Sequence, residues 1–509
     1  MTTNGNLADL TLRLVAGAED APAIMAPGRQ ALSHGELRRL ILNTAVRLNA
    51  LGLGRNDRIA IVLSNGPEMA AAFIALAASA STAPLNPAYR ADEFEFYLSD
   101  IEAKAILVAE NEDGPAVAVA GRLGIGVLRL VAQPDAPAGR FAISGEPVGS
   151  PASPGLAEQD DIALLLHTSG TTSRPKLVPL SHANLAASAA HIGATLGLSA
   201  NDRCLNIMPL FHIHGLIAAV LSSLAAGGGV FCTPGFNALR FFQWLNEAHP
   251  SWYTAVPTMH QAILLRAARN ADGLAAAKLR FIRSCSASLP PQVMAELETT
   301  FGCPVIESYG MTEATHQMAS NPLPPSKRKP GSVGIAAGPE IAIMALDGQL
   351  LPQGEVGEIV IRGPNVTLGY EKNQDANASA FAHGWFHTGD QGVLDGENYL
   401  RVTGRLKEII NRGGEKISPL EVDSVLMDHP AVAQVVTFAV PHERLGEEVA
   451  AAIVLREGQN ANEADIRAFA MTRLADFKVP SKVIILEEIP KGATGKLQRI
   501  GLASKLGLD

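Results

Sequence analysis

The stretch LLHTSGTTSRPKLVPLSH, residues 165–182, joins an apolar run to a segment with helical spacing. Five hydroxyl side chains and two cations are crowded into residues 168–176. Hydroxyls, backbone N–H groups and a lysine can together hold a polyphosphate, although the G-x-x-x-x-G-K-[ST] pattern of a P-loop is absent. An ordinary polar surface loop is the alternative, because Ser, Thr and Gly are common in loops.

The segments around this loop predict an α/β fold. Residues 162–167 (IALLLH) are typical of a buried strand, and residues 183–198 have the apolar spacing of a helix. Upstream, helical patterns over residues 35–54 and 67–81 flank the strand-like run 57–63. This alternation predicts a parallel sheet with helices on both faces. The polar loop would then follow a strand, where α/β folds commonly place ligands.

Composition limits the classes of function. The formal net charge of −9 gives no support to nucleic-acid binding. Four cysteines without CxxC spacing and a start without a basic, apolar leader predict a reduced, cytoplasmic protein. Residues 215–232 carry no charge over a length that could span a membrane. Their two serines and three consecutive glycines favour a buried helix that stops at Gly227 and leads into a strand.

The chain of 509 residues is long enough for several domains. Its amino-acid composition changes near residue 405, from a segment dense in glycine turns to a more charged segment. We therefore predict an N-terminal domain over residues 1–406 and a C-terminal α+β domain over residues 407–509.

Three further motifs contain residues suited to nucleotide chemistry. In ESYGMTEATH (307–316), Glu313 is a candidate Mg²⁺ ligand and Thr312 a phosphate donor; a capped turn is the alternative. In GWFHTGDQG (384–392), Asp390 is able to accept both hydroxyls of a ribose, or to satisfy its own turn. In PKGATGKLQR (490–499), Lys496 lies in a glycine-flanked loop and, taken alone, favours an exposed lysine.

The polar loop, YGMTE, TGD, GRLKE and PKGATGK follow one another over nearly the whole chain. In this order they resemble the motifs of the AMP-forming acyl-CoA synthetases, which belong to the adenylate-forming enzymes. Ser173 and Leu177 replace two glycines of the usual loop. The resemblance implies a large N-terminal domain of parallel-type sheets layered with helices, a β-barrel-like subdomain and a small mobile C-terminal domain. It also implies a reaction of an acid with ATP, Mg²⁺ and coenzyme A, in a monomer or homodimer.

The resemblance assigns nucleotide contacts residue by residue. The β- and γ-phosphates of ATP would be held by Thr168, Ser169, Gly170, Thr171, Thr172 and Lys176. Adenine would lie against Ala287, Ser288, Glu307, Ser308 and Tyr309. Thr312 would contact the α-phosphate, Glu313 the metal, and Asp390 with Arg405 the ribose.

The resemblance also assigns the catalytic and moving parts. Lys496 would neutralise charge between the acid and the nucleotide as the adenylate forms. Lys407 matches a hinge about which the C-terminal domain turns between half-reactions. Gly413 and Gly414 would line a channel for coenzyme A, where glycines allow close backbone approach.

Three histidines and a serine predict a small, polar acid. SCSASL (284–289) has Cys285 at a glycine position, which shortens the acyl cavity. His212 matches the family's gate position, and Ser286, His214 and His316 are predicted donors to the acid. The residues of these motifs are similar to those of the oxalate–CoA ligases of plants and fungi, and this resemblance implies that the acid is oxalate. One alternative is that these histidines bond only within the wall of the cavity. Four other kinds of protein also remain alternatives: a short- or medium-chain acyl-CoA synthetase, an adenylation enzyme loading a carrier protein, a luciferase-like oxygenase and a non-catalytic binding protein.

Overall fold

The structure is a computed structural model that describes residues 15–133, 135–151, 153–168, 175–491 and 497–508. We number strands and helices in chain order. The strands up to residue 320 are β1 (Pro22–Met25), β2 (Leu32–Ser33), β3 (Arg58–Val62), β4 (Ser81–Pro84), β5 (Ala105–Ala109), β6 (Gly126–Ala132), β7 (Phe141–Ser144), β8 (Ile162–His167), β9 (Leu177–Ser181), β10 (Arg203–Asn206), β11 (Gly229–Cys232), β12 (Trp252–Ala255), β13 (Phe281–Ser284), β14 (Val305–Met311) and β15 (His316–Ser320). The helices of this part are α1 (His34–Ala50), α2 (Pro67–Ala77), α3 (Ala91–Asp100), α4 (Pro115–Leu123), α5 (His182–Thr195), α6 (Ser222–Ala225), α7 (Phe241–Ala248), α8 (Pro257–Ala267), α9 (Ala271–Ala276) and α10 (Pro291–Phe301).

Two predicted helices begin where their sequences supply a cap. Ser33 opens α1 by accepting a hydrogen bond from the backbone N–H of Glu36, whose side chain bonds back to the Ser33 N–H. Pro67 opens α2 at a position that needs no N–H donor. Both helices are therefore confirmed, with boundaries set by local capping chemistry.

The first sheet has seven strands in the order β7-β6-β5-β3-β4-β8-β9. Its five central strands run parallel, as predicted, whereas β7 and β9 are antiparallel to their neighbours. Strand β9 differs from the prediction, which placed helix α5 directly after the polar loop. The run from Leu177 buries the apolar side chains of Leu177, Val178 and Leu180, and Pro179 is tolerated because β9 is an edge strand.

The second sheet has nine strands, including β16 (Ile335–Ala336), in the order β16-β15-β14-β13-β12-β10-β11-β1-β2. Its six central strands are parallel, so their carboxyl ends lie along one edge. The uncharged stretch forms a buried π-helix, His214–Leu221, that continues into α6 and then strand β11. The prediction of a buried helix leading into a strand is confirmed. Among the described residues, no helix has the length and apolar character needed to cross a membrane.

The third sheet is antiparallel and has the order β17 (Glu340–Met344), β18 (Gly357–Arg362), β19 (Phe386–Leu394) and β20 (Leu400–Arg405). A short helix, α11 (Gln374–Ala380), packs against β19. The resemblance implied a barrel-like subdomain here. Within the described residues the sheet is open, because among the named strands β17 pairs only with β18 and β20 only with β19.

The last sheet is built from strands β21 (Ile410–Arg412), β22 (Glu415–Ile417), β23 (Val432–His442), β24 (Gly446–Leu455) and β25 (Lys482–Ile485). Its helices are α12 (Pro419–Met427), α13 (Glu463–Met471) and α14 (Leu502–Lys505). The amide of Gln261, on α8, donates a hydrogen bond to the backbone carbonyl of Ala433. This α+β unit therefore contacts the helices that cover the second sheet.

Candidate functional site

The base of the polar loop is pinned by two hydrogen bonds. Thr168 N–H donates to the Lys176 carbonyl over 2.9 Å, and Lys176 N–H donates to Thr168 Oγ1 over 3.3 Å. His167, at the end of β8, pairs with Asp100 over 2.9 Å. The structure thus presents Thr168 and Lys176 together at one sheet edge. Ser169, Gly170, Thr171 and Thr172 lie outside the described residues.

Glu313 is a buried carboxyl beside that loop base. The Tyr370 hydroxyl donates to Glu313 Oε1 over 2.8 Å, and Lys176 Nζ lies 4.3 Å from the centroid of the Tyr370 ring. Burial raises the pKa of Glu313, while its bond with Tyr370 and the charges of Arg405 and Lys176 oppose that rise. Thr312 and Glu313 form a short 3₁₀ turn directly after β14. A carboxylate placed next to a cationic phosphate loop is suited to share a Mg²⁺ ion with phosphate oxygens.

Asp390 is clamped between an aromatic and a cationic side chain. The Tyr309 hydroxyl donates to Asp390 Oδ2, and Arg405 Nε donates to Asp390 Oδ1 over 3.0 Å. Asp390 and Arg405 face each other as register partners on β19 and β20. The pairing of two antiparallel strands therefore brings together the two residues predicted to hold the ribose.

The predicted adenine wall combines the loop after β13, with Ala287 and Ser288, and strand β14, with Glu307, Ser308 and Tyr309. Ala287 and Ser288 are exposed, whereas Glu307 and Ser308 are buried. Burial raises the pKa of Glu307 to about 8. Its Oε1 accepts the Leu289 N–H over 2.9 Å, and its Oε2 has no hydrogen-bond partner among the described residues. A neutral, buried carboxyl thus braces the loop behind the adenine wall.

A cavity of about 630 Å³ opens in front of this wall. Ala287 and Ser288 line one side, and Ser418, Asp423 and Arg499 of the C-terminal α+β unit line the other. The loop of the predicted adenine wall and the C-terminal α+β unit therefore enclose a common space.

The predicted acid-binding residues Ser286, His214 and His316 lie beside Arg283 and Thr254, which the sequence did not predict; we call these five residues the polar cluster. Ser286 is half-buried, and the other four are buried. His214 Nε2 is 2.6 Å from Thr254 Oγ1, and His214 Nδ1 is 3.1 Å from Ser286 Oγ. The rings of His214 and His316 lie 4.9 Å apart, centroid to centroid. His212 is half-buried, and its Nδ1 accepts the His214 N–H over 3.3 Å.

Two members of the polar cluster have left-handed backbones. Ser286 has φ 74°, and His316 has φ 98°. A Cβ added to Gly310 would stand 1.6 Å from the His316 carbonyl oxygen, so only glycine fits at this position of β14. Non-glycine residues with positive φ persist where surrounding structure overdetermines them, and they occur often at functional sites.

The predicted hinge and channel lie at the start of the C-terminal unit. Lys407 is exposed in a turn closed by a 2.8 Å bond from Glu408 N–H to the Arg405 carbonyl. Gly413 and Gly414 form the two-residue loop between β21 and β22, with φ 60° and 101°. Positive φ at both positions is the requirement of a tight hairpin turn. This local geometry accounts for both glycines, and their contact with coenzyme A stays a prediction. Lys496 lies outside the described residues.

Three functional candidates escaped sequence reasoning. Tyr370 is 57 residues from Glu313 in the chain, and no local pattern signals their contact. Thr254 and Arg283 are register partners on β12 and β13. Arg283 did leave a signal, because it interrupts the apolar run FIRS, where an arginine is unexpected in a buried strand. The described residues contain no group of three or more His, Cys, Asp or Glu arranged to hold a metal.

The sequence matches the model of the AMP-binding enzyme family over residues 13–371 and that of its C-terminal domain over residues 421–496. It is 47% identical to an oxalate–CoA ligase of Arabidopsis thaliana, covering 94% of each chain. It is 41% identical to an oxalate–CoA ligase of Saccharomyces cerevisiae, covering 87% of this chain and 86% of that one.

Among solved structures, ATP-bound MatB from Rhodopseudomonas palustris superposes with a TM-score of 0.85 at 30% identity. The superposition covers 96% of this chain and 97% of MatB, which confirms the predicted α/β fold class with a smaller C-terminal domain. The chain therefore belongs to the AMP-binding enzyme family, as its ordered motifs predict.

Proposed function

We propose that this protein is an ATP-dependent acid–CoA ligase whose acid is oxalate. Its membership of the AMP-binding enzyme family supports ATP binding, and its relatives include oxalate–CoA ligases at 41% and 47% identity. The observation that carries the choice of acid is the polar cluster. An arginine, two histidines and two hydroxyls converge where a fatty acyl chain would need apolar walls.

The reaction has two balanced steps. A carboxylate oxygen of the acid attacks the α-phosphorus of ATP, the bond to the β-phosphate oxygen breaks, and pyrophosphate leaves. The thiolate of coenzyme A then attacks the acyl carbon, the acyl–phosphate bond breaks, and AMP leaves. Both steps develop negative charge on oxygen atoms, so the enzyme's contribution is positioning and electrostatic stabilisation.

We assign that stabilisation around the nucleotide to the following described residues. In this proposal Lys176 and Thr168 meet the leaving pyrophosphate, and Asp390 with Arg405 holds the ribose. Tyr309 and the exposed Ala287–Ser288 edge receive adenine. Glu313 fits a Mg²⁺ site, since its carboxylate is buried next to Lys176 and has one oxygen engaged by Tyr370. Bound there with the phosphates, the ion would neutralise their charge.

We further propose that the two half-reactions use different positions of the C-terminal unit, residues 407–509. Lys496 would serve adenylate formation, and rotation about Lys407 would withdraw it. The hairpin at Gly413 and Gly414 would then border the path of the coenzyme A thiol. Support comes from the exposed turn at Lys407 and from the shared cavity between the two units.

Oxalate-dependent release of AMP in the presence of ATP, Mg²⁺ and coenzyme A tests the function. Purified enzyme should form oxalyl-CoA and AMP one for one, with pyrophosphate. Acetate, malonate and hexanoate at equal concentration should give much lower kcat/KM. Release of AMP with hexanoate as the preferred acid would leave a short- or medium-chain ligase. Adenylation without any transfer to coenzyme A would favour an enzyme that loads a carrier protein.

A further inference from the structure

Arg283 is fully buried without a carboxylate partner in the described part of the chain. Its side chain has 0% exposure and ranks among the largest fully buried ones. Its Nη1 donates to His316 Nε2 over 3.4 Å, and its Nη2 donates to Gln317 Oε1 over 3.2 Å. Its Nε–H has no hydrogen-bond partner among the described residues. The guanidinium therefore keeps unused donors and an uncompensated positive charge.

Such an arrangement is costly, because buried charges are normally paired. Burial lowers the pKa of Arg283, and the neighbouring groups that act against this are the thiols of Cys285 and Cys204 rather than ionised acids. Arginine still keeps its charge at neutral pH. A buried cation of this kind is complementary to an anion brought by a ligand.

The surroundings hold the guanidinium in place. Gln317 offers its oxygen to Arg283 because its amide nitrogen donates to Thr195 Oγ1 and to the Ala337 carbonyl, each over 3.1 Å. A guanidinium can only donate, so His316 Nε2 must accept and the proton of neutral His316 lies on Nδ1. In this contact His316 is the acceptor, and the guanidinium of Arg283 carries the positive charge.

The path from Arg283 to the adenylate chemistry is short. Arg283 is the register partner of Thr254, whose hydroxyl contacts His214, and His214 contacts Ser286. Ser286 is partly exposed and precedes the adenine wall at Ala287 and Ser288. The polar cluster therefore runs from the nucleotide side, at Ser286, to a buried cation at its far end.

We propose that Arg283 is a specificity-determining residue that binds the second carboxylate of a small dicarboxylic acid. This inference rests on the proposed ligase function and deepens it. One carboxylate of the acid reacts at the nucleotide, and the other forms charge-assisted hydrogen bonds with the guanidinium. Acids with one carboxylate leave Arg283 unpaired and are rejected for that reason, as sites built for a polar group reject analogues that lack it.

The test compares acids with one and two carboxylates in variants of the full-length enzyme. Arg283→Met removes the charge at similar length, and Arg283→Lys keeps it. Arg280→Met is the matched control, since Arg280 precedes the same strand but is half-exposed and paired with Asp202. The readout is kcat/KM for oxalate divided by kcat/KM for acetate, from AMP release.

Arg283→Met should lower this ratio about a hundredfold or more, mainly through oxalate. Arg283→Lys should keep most of the preference, and Arg280→Met all of it. A parallel loss for both acids in Arg283→Met would mean a merely structural role and overturn the inference. A wild type without preference for a two-carboxylate acid would contradict the oxalate proposal as well, so the two failures are distinguishable.

A second measurement covers the case in which Arg283→Met does not fold. Wild-type enzyme is melted in the presence of oxalate or of glyoxylate, in which an aldehyde replaces the second carboxylate. Ligands that bind the native state raise the melting temperature. Oxalate should raise it and glyoxylate should not; equal shifts would overturn the inference.

Discussion

The hydroxyl of Tyr370 donates a 2.8 Å hydrogen bond to the carboxylate of Glu313, across 57 residues of sequence. The same ring lies under the Lys176 ammonium at 4.3 Å. One aromatic side chain thus couples the predicted metal ligand to the phosphate loop. It also favours the charged form of Glu313, whose pKa burial raises.

Tyr370→Phe should therefore weaken the use of Mg²⁺ while keeping the ring under Lys176. A hydrogen bond to a charged group contributes about 1.5–3 kcal/mol, so the Mg²⁺ concentration for half-maximal AMP release should rise about tenfold or more. Tyr399→Phe is the control, because Tyr399 also lies near a lysine, with Lys329 Nζ 4.2 Å from its ring, and bonds a backbone carbonyl outside the site. An unchanged Mg²⁺ requirement in Tyr370→Phe would remove Glu313 as the metal ligand.

Asp390→Asn should raise the KM for ATP about tenfold or more and leave the KM for the acid nearly unchanged. The substitution removes the charge that Arg405 pairs with and the acceptor that Tyr309 uses. Charge-assisted bonds are about twice as strong as neutral ones. Asp395→Asn is the control, since Asp395 follows the same strand and pairs with Lys329 away from the nucleotide. Equal effects on both KM values would contradict a ribose-holding role.

Gly310→Ala should destabilise the protein, because the new Cβ would lie 1.6 Å from the His316 carbonyl oxygen. Overpacking of this kind costs about 1–3 kcal/mol, and the displaced strand would carry His316 with it. Gly193→Ala, on helix α5 with nothing within 4 Å of the added Cβ, should be neutral or slightly stabilising. Urea unfolding of both variants measures the difference, and equal stabilities would refute the crowding.

Glu307 should make stability fall as pH rises. Burial raises the pKa of Glu307 to about 8 in the native state, against an ordinary value of 4.5 that applies to the unfolded chain. Between about pH 4.5 and 8 the unfolded chain therefore binds fewer protons than the native one. The contribution of neutral Glu307 is thus complete below pH 4.5 and lost by about pH 8. Glu307→Gln keeps an oxygen for the Leu289 N–H but does not titrate.

The free energy of unfolding, followed from pH 5 to 8.5, should therefore fall less steeply for Glu307→Gln than for wild type. Glu298→Gln serves as a control carboxyl outside this wall, on helix α10. Parallel curves for wild type and Glu307→Gln would contradict the raised pKa.

Lys496→Ala should abolish adenylate formation and spare thioester formation from a preformed acyl-adenylate. This expectation comes from the PKGATGK motif alone. Lys505→Ala is the control, since Lys505 belongs to helix α14 and bonds the side chain of Gln498. Single-turnover assays of each half-reaction decide the matter, and an equal loss in both would contradict the alternating scheme.

Local patterns predicted the parts of this fold that depend on neighbours in sequence. The Ser33 cap, Pro67 at a helix start and the apolar run before Thr168 all act over a few residues. Strand β9 was missed because it is defined by its pairing with β8 across the polar loop, which no local pattern shows.

The same distinction between local sequence and tertiary pairing applies to the candidate site. Asp390 was predicted from its motif and the family resemblance, whereas its bonds to Tyr309 and Arg405 depend on strand pairing. Arg283 was passed over because only the arrangement of β12, β13 and β15 shows that its neighbours include no carboxylate within the described residues. Sequence spacing specifies which groups are present, and the sheet specifies which of them meet.

The tight hairpin over residues 309–316 has a consequence for how this enzyme changes its substrate. It carries Tyr309, Glu313 and His316, the residues proposed for the nucleotide, the metal and the acid, and Gly310 packs against the His316 carbonyl. Sliding one strand past the other would misplace all three ligands at once. If the proposed roles hold, new acid preferences would arise by exchanging side chains on neighbouring strands and loops, at positions such as 283 and 286, while the residues proposed for adenylation stay in place.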